Sequence, residues 1–339
     1  MFASAIALAT LINAAQQPMP KIGMTLMPSE PLSEATYLGA MREQIRLGID
    51  AIMLSTKWSD LEGEQPFSLK QAEDQFGVAR LIGGQVVYVI KPIDTNVKSV
   101  PLQFVQKSFD DPEFIKRWDA MLEKLIPLIP KDVSAIAIGN EADVYLGEHP
   151  AEVPAYLSLV RSTRSMLRGA GIKAPVGVVT TFEGLSKRPA IVKQIHTNFD
   201  AVFMTYYPLN PMFEVLPLSQ VPGHFDQMVA AAAGKPLYIT EMGIPASEVC
   251  KSSEDLQAEF VTTVFGQLRK HSSKIAFASY FMQSDYTNVM LDVFEQYYAL
   301  KDDRFRGFLG SLGLRKTDGT PRKAHAEFRK QMRLWTDGS

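Results

Sequence analysis

From Lys21 onward the chain alternates short apolar or β-branched runs with longer amphipathic stretches, and it does so eight times. The runs fall at residues 22–26, 51–55, 85–90, 135–139, 175–179, 201–205, 236–240 and 274–280, with helix-length stretches at 34–47, 114–129, 154–169, 220–233 and 254–271. Parallel strands need a long crossover, usually a helix, so this alternation predicts βα units around a parallel sheet. The runs are almost continuously apolar, as strands covered on both faces are. There is no glycine-rich phosphate loop after the first run and no break in composition between two halves. An open doubly wound sheet is therefore less well supported than a closed (β/α)8 TIM barrel of the α/β class. Barrels use ~250 residues or more as one unit, so a single domain over 21–339 is expected. Its outer ring would be completed by 304–310 and a last helix over 322–335.

Composition narrows the chemistry. Of the 339 residues 46% are hydrophobic and the formal net charge is −2, so there is ample core and no basic stripe to hold a phosphate backbone. Nucleic acid is not an expected partner. The five histidines fall in no H-x-H or H-E-x-x-H spacing, and Cys250 is alone; neither a metal site nor an internal disulfide is expected. The opening MFASAIALATLINAA is an apolar run ending in the small residues Ala14 and Ala15. It reads as a signal peptide over 1–15, although no Lys or Arg precedes it, and predicts a secreted or periplasmic protein. The run is too short to cross ~30 Å of hydrocarbon, so no membrane span is expected.

In a β/α barrel the working residues stand at the C-terminal ends of the strands and in the loops that follow. The fourth run, AIAIG, leads directly into Asn140-Glu141-Ala142-Asp143, and the seventh, PLYIT, into Glu241-Met242-Gly243. Strands four and seven lie on opposite sides of the mouth, so the two glutamates can face each other across a bound sugar. Hydrolysis of a glycosidic bond requires such a pair, one carboxylic acid to protonate the leaving oxygen and one carboxylate at the anomeric carbon. Retaining chemistry calls for a carboxyl separation of ~5 to 5.5 Å.

These residues resemble the clan A retaining glycoside hydrolases, β/α barrels with Asn-Glu after the fourth strand and Glu after the seventh. Within the clan, GNE at 139–141 and TYYP at 205–208 look like endo-β-1,4-galactanases, while EMGIPAS at 241–247 is similar to plant-type β-1,3-glucanases. The ending GLRKTDGTPRKAHAEF is also similar to the closing segment of many such barrels. The resemblance implies that Glu141 is the acid/base, that Asn140 bonds the sugar 2-hydroxyl, and that Glu241 is the nucleophile. It also implies that Tyr206, or its neighbour Tyr207, directs its phenol at Glu241. The pKa of Glu141 should then be raised by burial and its neighbour's charge, and that of Glu241 held down by hydrogen bonds.

The sequence departs from the clan in two places. Lys57-Trp58 occupies the region where an arginine commonly follows the second strand, and Phe281 stands where the eighth strand usually ends in tryptophan. Trp58 and Phe281 are candidate sugar platforms or, equally, packing residues. Asp94, in KPIDTN, either binds a sugar hydroxyl or caps a turn. Asp143 and Glu183 read as solvated loop charges. The expected activity is hydrolysis of a β-linked oligo- or polysaccharide by a cofactor-free monomer, with endo action favoured by the motifs. A carbohydrate-binding or transglycosylating barrel is the principal rival. A Schiff-base enzyme, another alternative, would use Lys91.

Overall fold

The computed structural model describes residues 19–62 and 67–336; the expected signal segment, 1–15, lies outside them. Ten strands occur among the described residues: β1 (Lys21–Met24), β2 (Ala51–Lys57), β3 (Gln85–Asp94), β4 (Val97–Lys98), β5 (Ala135–Asn140), β6 (Val176–Gly177), β7 (Val179–Thr181), β8 (Val202–Tyr206), β9 (Leu237–Met242) and β10 (Ile275–Tyr280). The sheet order is β6-β5-β3-β2-β1-β10-β9-β8-β7, with parallel pairing along the whole path. β6 and β7 end that path and are separated only by Val178. They are two halves of the fifth strand expected at 175–179, so the sheet curls back on itself as the predicted (β/α)8 barrel. β4 is a short antiparallel return against the end of β3.

The outer ring holds the helices Glu34–Leu47, Lys70–Ile82, Pro112–Leu125, Val153–Gly169, Pro189–Asn198, Val221–Ala232, Glu254–Lys270 and Lys323–Thr336. Their ends are set by local chemistry. Ser33 and Ser253 accept hydrogen bonds from the first-turn amides of Thr36 and Leu256, and Asp111 does the same ahead of Pro112, which satisfies donors that a helix start leaves unpaired. Among the described residues no helix is long and apolar enough to cross a membrane.

Two apolar layers result. Outward-facing strand residues such as Tyr88, Ile136, Ile138, Met204 and Ile239 pack beneath the helices. Inward-facing Ala51, Val87, Val89, Ala135, Ala137, Phe203, Tyr238 and Phe277 fill the barrel. Small residues let the aromatic rings occupy the axis: a Cβ on Gly23 would meet the Phe277 ring at 2.8 Å, and one on Gly177 the Phe203 ring at 2.7 Å. With the interior filled, chemistry is confined to the mouth.

Candidate active site

Two irregularities in the ladders aim the carboxylates. On β5, Ile138 pairs with Ile90 but Asn140 pairs with Asp94, so β3 carries extra residues ahead of the mouth. The chain then turns through Gly139 at φ +90° and Glu141 at φ 46°, ψ 37°. Only glycine adopts such angles readily. On the other side, Met204 of β8 pairs with Ile239 of β9, whereas Thr205 pairs with Glu241. The register shift passes over Thr240 and re-aims the next side chain, as bulges near active sites do.

Thr205 links the two glutamates. It is the ladder partner of Glu241, and its hydroxyl donates to Glu141 Oε1 at 2.6 Å. Thr95 donates to Glu141 Oε2 at 2.8 Å. Glu241 Oε2 accepts from the Tyr207 phenol at 2.8 Å. Next to this pair lies Asp94, whose Oδ1 accepts from Asn140 Nδ2 at 3.2 Å and Lys91 Nζ at 3.3 Å, and whose Oδ2 accepts from the Tyr297 phenol at 3.2 Å.

The surroundings of the glutamates differ. Burial, and then the charge of Glu241, push the pKa of Glu141 up to about 7 against the hydrogen bonds from Thr205 and Thr95. Burial also raises that of Glu241, opposed by the charge of Lys91 and the Tyr207 hydrogen bond. The expectation of a depressed Glu241 is thus corrected: in so dry a mouth, one cation and one phenol offset desolvation only in part. Burial works against the charge on Lys91, but Asp94, Glu241 and Glu141 together raise its pKa. A Schiff-base lysine must shed its proton readily, so this environment argues against that alternative.

The remaining candidates separate into site and core. Tyr207, not Tyr206, reaches Glu241; Tyr206 points outward, bonding His224 Nδ1 at 3.0 Å and lying edge-on to Phe225. Trp58 is fully buried, stacked on Phe104 and edge-on to Phe114 and Trp118. It opens the short helix Trp58–Leu61, which turns the ring into the core, so it is no sugar platform. Asp143, expected as a solvated charge, is wholly buried and bound by Thr181 and Arg188. Phe281 remains at the mouth, edge-on to Tyr207 at 6.2 Å and near Tyr286 at 6.1 Å. Lys57 lies 3.6 Å from Asp60 with its Nζ 4.5 Å from the Tyr297 ring centre.

Sequence reasoning overlooked Thr95 and Thr205, and it considered Lys91 only for imine chemistry. Thr205 had a usable signal, because it precedes the tyrosine pair at the end of an expected strand. Tyr286, Tyr297 and Tyr298 had none, since they follow the last strand in a segment with no assigned role.

Fold and site together define a (β/α)8 barrel with two half-buried carboxyl groups at a common mouth. No family model and no curated protein matches the chain. Among solved structures it is similar to a GH5_18 protein from Bifidobacterium longum in complex with Manβ1-4GlcNAc, at 15% identity over 94% of this chain and 78% of the other, with a TM-score of 0.69. An exo-β-1,4-mannosidase from an Opitutaceae bacterium gives 16% identity, 94% and 60% coverage and a TM-score of 0.69. A β-glycosidase from Pyrococcus horikoshii gives 18%, 88% and 84%, and 0.60. The likeness is one of fold.

Proposed function

We propose that the chain is a retaining β-glycosidase in which Glu141 is the acid/base and Glu241 the nucleophile. The observation that carries this reading is the asymmetry between two half-buried carboxyls: Glu141 accepts from two threonine hydroxyls, whereas Glu241 accepts from a phenol and is the more strongly influenced by the charge of Lys91. One is thereby favoured as acid and the other as carboxylate. Tyr207 holds Glu241 Oε2 and leaves Oε1 to attack the anomeric carbon. As the glycosidic C–O bond breaks, Glu141 gives its proton to the leaving oxygen. In the second step Glu141 takes a proton from water, whose oxygen attacks the anomeric carbon and releases Glu241. Asn140 and Asp94 present an amide and a carboxyl group to the sugar hydroxyls, and the charge of Lys91, which bonds Asp94, favours the ionised form of Glu241. The similar structures named as β-glycosidase and β-mannosidase favour a β-linked hexose as substrate. Export, suggested by residues 1–15, belongs to the same proposal.

Rescue by azide tests the assignment. Glu241→Gly should abolish turnover of an aryl β-glycoside, and added azide should then give the α-glycosyl azide, because it enters from the face that the carboxylate left. Glu141→Ala should still form the glycosyl-enzyme from a substrate with a good leaving group, and azide should return the β-product. Identical products from both variants would refute the roles. Tight glycan binding by an inactive parent would favour the binding-protein alternative.

A further inference from the structure

After β10 the chain does not pass directly to the closing helix. Residues 281–310 form an extension that contains the helices Asn288–Tyr297 and Asp303–Leu309. Its near end is packed on the β8–β9 side: Phe308 lies edge-on to Tyr207 at 5.2 Å, and Phe305 is 5.4 Å from Phe213. Its far end is fastened across the mouth. Asn96 Nδ2 donates to the Tyr298 carbonyl at 3.2 Å, the Tyr297 phenol donates to Asp94 at 3.2 Å, and Lys57 sits over the Tyr297 ring. Asp94 ends β3 and Lys57 ends β2, while β1 lies between β2 and β10. The extension therefore spans the rim above β1 and β2 as a strap.

The strap places phenols over the reacting pair. Those of Tyr286 and Tyr298 take part in no hydrogen bond with any described residue, although both rings are partly buried. After burial, the charges of Glu241 and Asp94 raise the pKa of Tyr286, and those of Asp94, Glu141 and Glu241 raise that of Tyr298. Tyr286 lies 6.1 Å from Phe281, itself 6.2 Å from the Tyr207 ring that bonds Glu241, and Tyr298 lies 4.9 Å from Tyr297, which bonds Asp94, so two unused donors line the mouth on a wall fixed on both sides. The strap is thus anchored on Tyr207 and Asp94, which bond Glu241 and Asn140, the groups proposed to face the sugar being transferred, whereas the leaving group lies on the side of Glu141.

We infer that the strap closes the glycone side of the mouth, so that the enzyme removes single sugars from the non-reducing ends of β-linked oligosaccharides. Tyr286 and Tyr298 donate to hydroxyls of that terminal sugar. This inference rests on the retaining-glycosidase reading and replaces the endo action expected from the motifs. Cutting within a polymer requires chain on both sides of the cleaved bond, and a closed glycone side admits only a terminal sugar there.

The test uses the full chain on β-1,4-linked manno-, gluco- and galacto-oligosaccharides labelled at the reducing end. The expected products are one free sugar and a labelled chain shorter by one unit at every early time point. The matching polymers should release sugar before they lose viscosity. Mixed mid-chain products from the parent enzyme would overturn the inference. Tyr298→Phe keeps the ring and removes the donor; it should raise KM for the oligosaccharides roughly 5-fold, as loss of one hydrogen bond implies, and an unchanged KM would remove Tyr298 from the subsite. Asn96→Ala combined with Tyr297→Phe unfastens the far end and should add internal products. If the products stay terminal in that variant, the strap is not what limits the enzyme to chain ends. Aryl β-glycosides separate the two levels: turnover of these with internal cutting of polymers refutes the strap alone, whereas no turnover of any glycoside refutes the reaction and the strap together.

Discussion

Glu141 is held in a left-handed backbone conformation, φ 46° and ψ 37°, which costs a residue with a Cβ on the order of 1–3 kcal/mol. The surroundings impose it: Gly139 turns first, with no room for a Cβ against the Tyr156 hydroxyl, and Thr95 and Thr205 clamp the carboxyl group. Under the proposed mechanism, glycosylation needs Glu141 protonated and Glu241 ionised. With the pKa of Glu141 raised to about 7, kcat/KM on an aryl β-glycoside should fall as the pH rises through that value. The acid limb should lie above the ordinary carboxyl value, because Glu241 is raised as well. Lys91→Met removes a charge that favours ionised Glu241 and should move this limb to higher pH, while Lys91→Arg should leave it near the parent's; an unmoved limb in Lys91→Met would show that Lys91 does not set it. Both glutamates were legible because each directly follows an apolar run. The tyrosine facing Glu241 was not, since alternation along β8 cannot reveal a register shift in the neighbouring strand. Lys91 was noticed without its role, which depends on three carboxyl groups brought together from β3, β9 and the turn after β5.

Among the elements, the strands were easiest to read. Parallel strands buried on both faces are marked by their own composition; the fifth is split at Val178 into β6 and β7, β3 continues beyond the expected run to Asp94, and the short β4 was not expected. The turn after β2 was harder. Lys57 and Trp58 follow each other in sequence, yet the short helix Trp58–Leu61 sends one to the rim and the other into an aromatic core with Phe104, Phe114 and Trp118. Trp58→Ala should therefore lower unfolding free energy by ~3–5 kcal/mol, the usual range for truncating a buried aromatic ring, while KM for oligosaccharide changes little. Denaturant unfolding and steady-state kinetics would check both halves. A large rise in KM with little loss of stability would return Trp58 to the sugar site. The strap was illegible for a different reason: it is fastened by contacts such as that between Tyr297 and Asp94, 203 positions apart in the chain, and no local pattern encodes them.

For the whole molecule, the eight-fold alternation was sufficient to predict the barrel, because each βα unit is defined by nearby residues. The mouth is assembled from strand ends far apart in sequence. β10 pairs with β1 to close the sheet, and the residues after it are secured by buried Arg322, which donates to Asp285 at 2.6 Å and 2.8 Å. That closure brings the strap over β1 and β2. The central claim is that Glu241 becomes covalently joined to the sugar. An aryl 2-deoxy-2-fluoro-β-glycoside tests it most directly: the fluorine slows both steps through the oxocarbenium-like transition state, while the good leaving group keeps the first step faster than the second. Mass spectrometry of the digested protein should find one fluorosugar, attached to the peptide that contains Glu241 and missing from Glu241→Gly. A label on Glu141, Asp94 or any other residue, or turnover with inverted configuration and no adduct, would contradict the account.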